Sequence, residues 1–248
     1  MSLNFTGRTV IVTGGAQGIG RAVCQTLHRA GANIVIADIN AARARESAAE
    51  YGGRPPLIVE TDISREFSVT ALYAKVLEQF GQIDIVVNSA GLYRQIPILE
   101  ISAADWDQVL AVNLRGTFLM GREAFRVMKS RGQGRIINVA SIAGKVGSVT
   151  AGAHYSASKA GVISFTKTLA YQAAPFKINV NCVCPGPIAT EMIGAWDPER
   201  AKAYAESIPL REFGRPQDVA DAVVFLASEK SRYITGEILD VNGGLLMD

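Results

Sequence analysis

Short runs rich in β-branched residues alternate along the chain with longer stretches of helical, amphipathic spacing. Residues 9–13 (TVIVT), 33–38 (NIVIAD), 56–61 (PLIVET), 84–88 (DIVVN), 135–141 (RIINVAS), 178–184 (INVNCVC) and 237–241 (EILDV) read as strands. They are apolar almost without interruption, as strands covered on both faces are, whereas a half-exposed strand alternates apolar with polar positions. The intervening spacing predicts helices over residues 18–30, 41–50, 65–80, 104–129, 154–173, 198–206 and 216–228. Such alternation predicts an α/β fold: a doubly wound, mostly parallel sheet of seven strands with helices on both faces.

No repeat, charge block or low-complexity stretch divides the chain, so residues 1–248 are expected to form one domain. The proline-rich segment at about residues 185–210 departs from the alternating pattern and is the expected substrate loop. Charged residues make up 19% of the chain, below the roughly 25% of ordinary soluble domains, which points to a large core or a buried subunit interface. Lys and Arg total 25 against 23 Asp and Glu, and they are scattered. Neither nucleic acid nor a membrane surface is an expected partner. Cys24, Cys182 and Cys184 form no disulfide framework, which fits a reducing compartment. Cys182 and Cys184 share one face of a strand without further ligands nearby, so they read as small core residues and no metal is expected. The N-terminal residues lack the apolar core of a signal peptide, and no run reaches the roughly 20 residues of a membrane span. A soluble, cytoplasmic protein is expected.

The first strand runs directly into Gly14-Gly15-Ala16-Gln17-Gly18-Ile19-Gly20, and a helix follows. Gly14, Gly18 and Gly20 permit a tight turn, close approach of backbone to a phosphate and tight helix–strand packing. The exposed amides of the helix start, with the helix dipole, suit a pyrophosphate. Asp38 ends the second strand 18 residues after Gly20, close to the offset of about 20 at which a carboxylate meets the adenosine ribose. A carboxylate there accepts from the ribose hydroxyls and repels a 2′-phosphate. With Gln17 and Ile39 as its uncharged neighbours, NAD is favoured over NADP. Arg43 and Arg45 either turn back toward the ribose or are solvated. Tyr155 and Lys159 lie four apart, on one face of a helix. An ammonium beside the phenol favours the phenolate and predicts a Tyr155 pKa below the usual value of about 10.

With Ser141 added, these residues resemble the short-chain dehydrogenase/reductase family in its one-domain branch, over nearly the whole chain. Thr13 to Gly20 matches the family's cofactor turn, and Asn88-Ser89-Ala90-Gly91 its N-x-A-G signature. Asn113 stands where the family has its catalytic asparagine, and Ser141 precedes Tyr155 by 14 residues as the catalytic serine does. Pro185-Gly186 with Thr190 matches a P-G-x-x-x-T stretch. The resemblance implies that Tyr155 is the general acid/base and that Ser141 holds the substrate oxygen. It implies that Lys159 binds the nicotinamide ribose and lowers the Tyr155 pKa, while Asn113 positions a relay water. It places Gly14, Gln17, Gly18, Ile19 and Gly20 at the cofactor phosphates, Asp62 and Ile63 at the adenine, and Asn88, Ala90 and Gly91 along the cofactor backbone. Pro185, Gly186, Ile188 and Thr190 complete the cofactor set, the last two at the carboxamide. A homotetramer is also implied.

Substrate identity is less legible. By family position, pocket walls come from Tyr93 to Gln95, Gly144 to Gly147 and the loop with Met192, Ile193 and Trp196. Arg94, Gln95, His154 and Met192 are the candidate substrate contacts. This mixture suits a small or medium secondary alcohol, such as a polyol or sugar-like compound, interconverted with its ketone by an NAD(H)-dependent oxidoreductase. The alternative is a 3-oxoacyl-[acyl-carrier-protein] reductase. The resemblance implies NADP, a basic residue near the cofactor turn and arginines near the end of the active-site helix for that activity. Here those positions hold Gln17, Asp38 and Tyr171-Gln172-Ala173-Ala174-Pro175-Phe176. A second alternative is a non-catalytic NAD-binding sensor or scaffold on the same fold, which would have no need of a complete Asn113, Ser141, Tyr155 and Lys159 set.

Overall fold

Val10 and Val12 of strand β1 (Thr9–Thr13) pack into one apolar cluster, while Ile11 between them packs into another. A strand with a core on each face has no polar side to show, which is why its sequence does not alternate. The computed structural model describes residues 3–148, 151–190 and 197–247. Six further strands follow: β2 (Asn33–Asp38), β3 (Leu57–Glu60), β4 (Ile85–Asn88), β5 (Gly134–Val139), β6 (Ile178–Pro185) and β7 (Ile238–Val241). They form one seven-stranded sheet in the order β3-β2-β1-β4-β5-β6-β7. Every neighbouring pair is parallel, so the expected mostly parallel sheet is parallel throughout.

Helices cover both faces. Cys24 and Leu27 of α1 (Gly18–Arg29), Ala44 of α2 (Ala41–Ala48) and Val219, Val223 and Leu226 of α9 (Pro216–Ala227) join Val10 and Val12. On the other face, Ile11 meets Val69 and Leu72 of α3 (Glu66–Phe80), Met120 and Met128 of α5 (Thr117–Arg131) and Leu169 of α7 (Ala153–Ala173). Each fully buried side chain of this size contributes about 1.5–3 kcal/mol relative to an exposed one. The remaining helices are α4 (Ala103–Leu110), the single turn α6 (Ala143–Val146) and α8 (Pro198–Ser207).

Two features of this frame place the site. β1 lies between β2 and β4, so successive connections leave it in opposite directions and open a crevice beyond its carboxyl end. The helix expected over residues 104–129 is instead α4, a π turn at Ala111–Gly116, and α5. The apolar spacing runs on through this turn and hides it. The wider turn carries Asn113, fully buried, and Gly116, where a Cβ would lie 2.8 Å from the Ile63 side chain. Such turns are rare and tend to mark functional positions.

Candidate active site

A cavity of about 960 Å³ opens beyond the carboxyl ends of β1, β4, β5 and β6, a volume suited to a cofactor and a small substrate. Its floor is the turn after β1, where Gly14, Gln17, Gly18, Ile19 and Gly20 all face it. Gly14 has φ +66° and a Cβ there would lie 2.8 Å from Ala90 Cα; a Cβ on Gly20 would lie 2.2 Å from Gly14 O. Two side chains fix this turn. Thr13 Oγ1 accepts from the amides of Ser89 and Ala90 at 3.1 Å each. Asp38 Oδ2 accepts from Ala16 N at 3.1 Å, and its Oδ1 from Asn40 N at 3.0 Å. No side chain caps the first turn of α1, in contrast to α4, where Ser102 does so. The orphan amides of α1 therefore face the cavity, as an anion site requires.

Asp38, Asp62 and Ile63 line one end of the cavity, with Ala90 and Gly91 along its wall. Neither Arg43 nor Arg45 lines it, and Arg21 is bound to Glu50. Pro185, Gly186, Ile188 and Thr190 lie opposite the glycine turn, with Thr190 Cγ2 3.7 Å from where a Gly18 Cβ would sit. The uncapped helix start, the glycine cradle and the carboxylate at the strand end fit a pyridine nucleotide.

At the other end β5 delivers Ser141 and α7 delivers Tyr155 and Lys159, and all three line the cavity. The Ser141 side chain stands close enough to the Tyr155 phenol to favour its ionised form, and its hydroxyl oxygen accepts from Ala143 N at 3.2 Å. Lys159 Nζ lies 5.7 Å from the Tyr155 ring centroid and donates to Val139 O at 2.8 Å. The electrostatics differ from expectation. Burial pushes the Tyr155 phenol up to about 12, against the nearby Ser141 hydroxyl that pulls it down and with Tyr93 and Cys184 adding to the rise. Burial likewise pushes Lys159 down to about 8. An ammonium directed at a backbone carbonyl does not offset the desolvation of a phenolate, so the expected depression of Tyr155 is replaced by a rise.

Asn113 lies just behind this group; a Cβ on Gly91 would stand 3.5 Å from both Asn113 Oδ1 and Lys159 Nζ. Its amide holds the loop after β4 from both sides, donating to Leu92 O at 3.0 Å and accepting from Leu92 N at 2.7 Å. A second donor bond at 3.0 Å goes to Ser158 Oγ, which donates to Tyr155 O at 2.7 Å. These three bonds tie the Asn113 side chain to the Leu92 loop and to α7.

Several expected contacts fall elsewhere. Asn88 is buried behind the wall, donating to Asn138 Oδ1 at 2.8 Å, and stitches β4 to β5 rather than touching the cavity. His154 is fully buried and off the cavity, because helical neighbours diverge by about 100°; its Nδ1 accepts from Tyr155 N at 3.0 Å. Arg94 turns toward α4 and pairs with Asp105, and Gln95 is exposed outside the cavity. Met192, Ile193 and Trp196 lie outside the described residues. Within residues 144–147, Gly144 packs on α7, where a Cβ would lie 2.6 Å from Lys159 C, while Val146 and Gly147 do line the cavity. Sequence reasoning missed Gln108, Val112, Tyr204, Leu245 and Leu246 as lining residues. Among the described residues no helix is long and apolar enough to cross a membrane.

The profile of a family described as Enoyl-(Acyl carrier protein) reductase matches residues 14–246. The chain is 40% identical to a 3-oxoacyl-[acyl-carrier-protein] reductase of Aquifex aeolicus, over 99% of this chain and 100% of that one. A solved 3-oxoacyl-[acyl-carrier protein] reductase of Brucella melitensis superposes with TM-score 0.93 at 34% identity, covering 100% of this chain and 95% of that one. A second Brucella melitensis structure, described as a ribose-5-phosphate isomerase, superposes with TM-score 0.91 at 36% identity over the same shares of each chain. One fold thus carries more than one printed activity, and the site has to decide between them. With its parallel seven-stranded sheet, glycine turn and full-length relatives, this chain belongs to the short-chain dehydrogenase/reductase family of pyridine-nucleotide-dependent oxidoreductases.

Proposed function

We propose that the protein reduces the 3-keto group of a 3-oxoacyl thioester to the alcohol. The observation that carries this is the convergence of Ser141, Tyr155 and Lys159 at the end of a cavity that also holds the glycine turn. Two further points favour the 3-oxoacyl substrate over a polyol. The relative at 40% identity over its full length bears that activity in its name. The polar side chains that suggested a polyol, Arg94, Gln95 and His154, do not line the cavity, whereas Val112, Val146, Leu245 and Leu246 give it an apolar wall suited to an acyl chain.

A reduced pyridine nucleotide held by the glycine turn and Asp38 would supply the hydride for the keto carbon. Tyr155 gives its phenolic proton to the keto oxygen, and the Ser141 hydroxyl donates to the same oxygen and holds it against the phenol. A phenol held protonated to about 12 is suited to the acid role of reduction rather than to taking a proton at neutral pH. Lys159 would hold the nicotinamide ribose. Asn113 acts by fixing the Leu92 loop and, through Ser158, the first turn of α7. Residues 1–248 act as one catalytic unit, and Ile188, Thr190 and Tyr204 of the expected substrate loop line the cavity that takes the acyl group. A homotetramer is supported by apolar side chains left outside the core, among them Leu99, Trp106, Phe118 and Tyr171.

Asp38 favours NADH. Purified protein given acetoacetyl-CoA is expected to oxidise NADH with a kcat/KM at least about 10-fold above that for NADPH, since a carboxylate facing a 2′-phosphate is a like-charge contact. Faster turnover of NAD with polyols or sugars than of the thioester with NADH would overturn the substrate assignment. A preference for NADPH would overturn the role of Asp38.

The pH profile follows from Lys159. Its proton is lost near 8, lower than for an ordinary lysine, while Tyr155 keeps its proton to about 12. In the reducing direction kcat/KM is therefore expected to be level at neutral pH and to fall above about 8, as the ammonium that grips the ribose disappears. A profile still level at pH ~10, where an unperturbed lysine titrates, would contradict it.

A further inference from the structure

Arg94 leaves the loop after β4 and reaches two side chains one turn apart on α4. Its Nη1 donates to Asp105 Oδ1 and its Nη2 to Gln108 Oε1 at 2.7 Å. Asp105 is fixed in turn by Ser102, whose hydroxyl donates to Oδ2 at 2.5 Å and accepts from Asp105 N at 3.0 Å. The Ser102 hydrogen bond, with the Arg94 charge adding to it, holds the Asp105 carboxyl below the usual range. The arm is also tied to the start of α7, since Gly152 N donates to Arg94 O at 3.0 Å.

This chain settles the orientation of Gln108. A guanidinium only donates, so the atom facing Arg94 is the amide oxygen and the NH2 keeps two donors to offer. Gln108 lines the cavity, as do Leu92 and Tyr93. Tyr93 packs edge-to-face on Tyr155, with ring centroids 5.1 Å apart at 77°, which puts this wall at the catalytic end. The wall also lacks net charge. Arg94 would attract a carboxylate, but Asp105 neutralises it, and what remains toward the cavity is an oriented amide dipole.

We infer that Gln108 recognises the second carbonyl of the substrate, the thioester oxygen one methylene away from the reacting ketone, and that Asp105 and Arg94 are positioning residues that aim its amide. This rests on the 3-oxoacyl assignment. A 3-oxoacyl thioester has two carbonyl oxygens; Tyr155 and Ser141 take the first, and the second needs a neutral donor from the wall. An uncharged donor wall also favours the neutral thioester over a free 3-oxo carboxylate.

The test replaces Gln108 by Glu, which keeps the shape and the bond to Arg94 but exchanges the donors for acceptor oxygens. Arg94→Met releases the amide without altering it. Steady-state kinetics are measured with NADH and acetoacetyl-CoA, beside a plain 2-alkanone that lacks the second carbonyl, with thermal melts to confirm folding. For Gln108→Glu the thioester KM is expected to rise about 10-fold, the effect of one lost hydrogen bond at a partly solvated rim, with a much smaller change in kcat. The loss for the thioester exceeds that for the alkanone by the same factor, and Arg94→Met moves KM in the same direction by less. An unchanged thioester KM in Gln108→Glu, or equal losses for both ketones, overturns the role of Gln108 while leaving the 3-oxoacyl assignment intact. A wild-type protein that does not reduce the thioester overturns both.

Discussion

Replacing Tyr155 with Phe removes one oxygen and is expected to lower kcat for ketone reduction by about 100- to 10,000-fold, the range that general acid catalysis contributes. The substitution is clean because the hydroxyl has little structural work. The Ser141 hydroxyl is its polar neighbour, and the ring keeps its edge-to-face packing on Tyr93. Melting temperature and nucleotide affinity should therefore stay close to wild type while turnover collapses. Single-turnover measurements with excess enzyme separate the chemical step from product release. Unchanged turnover would remove Tyr155 from the mechanism. It would point to Lys159 as the acid, since burial brings that ammonium to about 8, within reach of proton transfer at neutral pH.

What could be read from the chain beforehand follows the range of the interaction that produces it. The central strands β1, β2, β4, β5 and β6 were legible because a strand buried on both faces is apolar nearly throughout, and the half-buried edge strands β3 and β7 by their short apolar runs. The glycine turn was legible because Gly14 and Gly20 answer to backbone geometry within seven residues. Tyr155 and Lys159 share a helix face by spacing alone. The failures are matters of direction and environment. His154 and Arg94 lie beside motif residues in sequence, yet one turns into the core and the other toward Asp105, eleven residues on. Apolar periodicity passes unbroken through residues 111–116, so the π turn that buries Asn113 left no trace in it. The sign of the Tyr155 shift was misread because spacing reveals the neighbouring charge but not the depth of burial, and burial prevails. Leu245 and Leu246 come to the cavity only through the return of the chain after β7, which no local pattern announces.

The glycine turn gives the second large effect, and the structure ranks its members. A methyl group on Gly20 would stand 2.2 Å from Gly14 O, 2.8 Å from Gly14 C and 3.2 Å from Gly15 Cα. All three are backbone atoms, so no side chain can rotate aside. Nor can the turn retreat. Gly14 is already against Ala90, Ala90 is held by Thr13, and Ala16 is held by Asp38. Gly20→Ala is therefore expected to cost about 1–3 kcal/mol of stability as overpacking against a rigid neighbour, a fall in melting temperature of about 2–4 °C per kcal/mol for a chain of this size. It should also weaken nucleotide binding by about 100-fold or more, because the amides proposed to receive the pyrophosphate are the ones displaced. Gly18 is the internal control. It has φ +53°, yet the nearest atom to its absent Cβ is Thr190 Cγ2 at 3.7 Å. Gly18→Ala meets only the left-handed backbone penalty of about 1–2 kcal/mol, without a collision. Thermal melts and nucleotide titrations of the two variants should place Gly20→Ala below Gly18→Ala in both properties. The reverse order would mean that conformational strain, rather than the packing of helix α1 on the turn, is what the glycines of this site relieve.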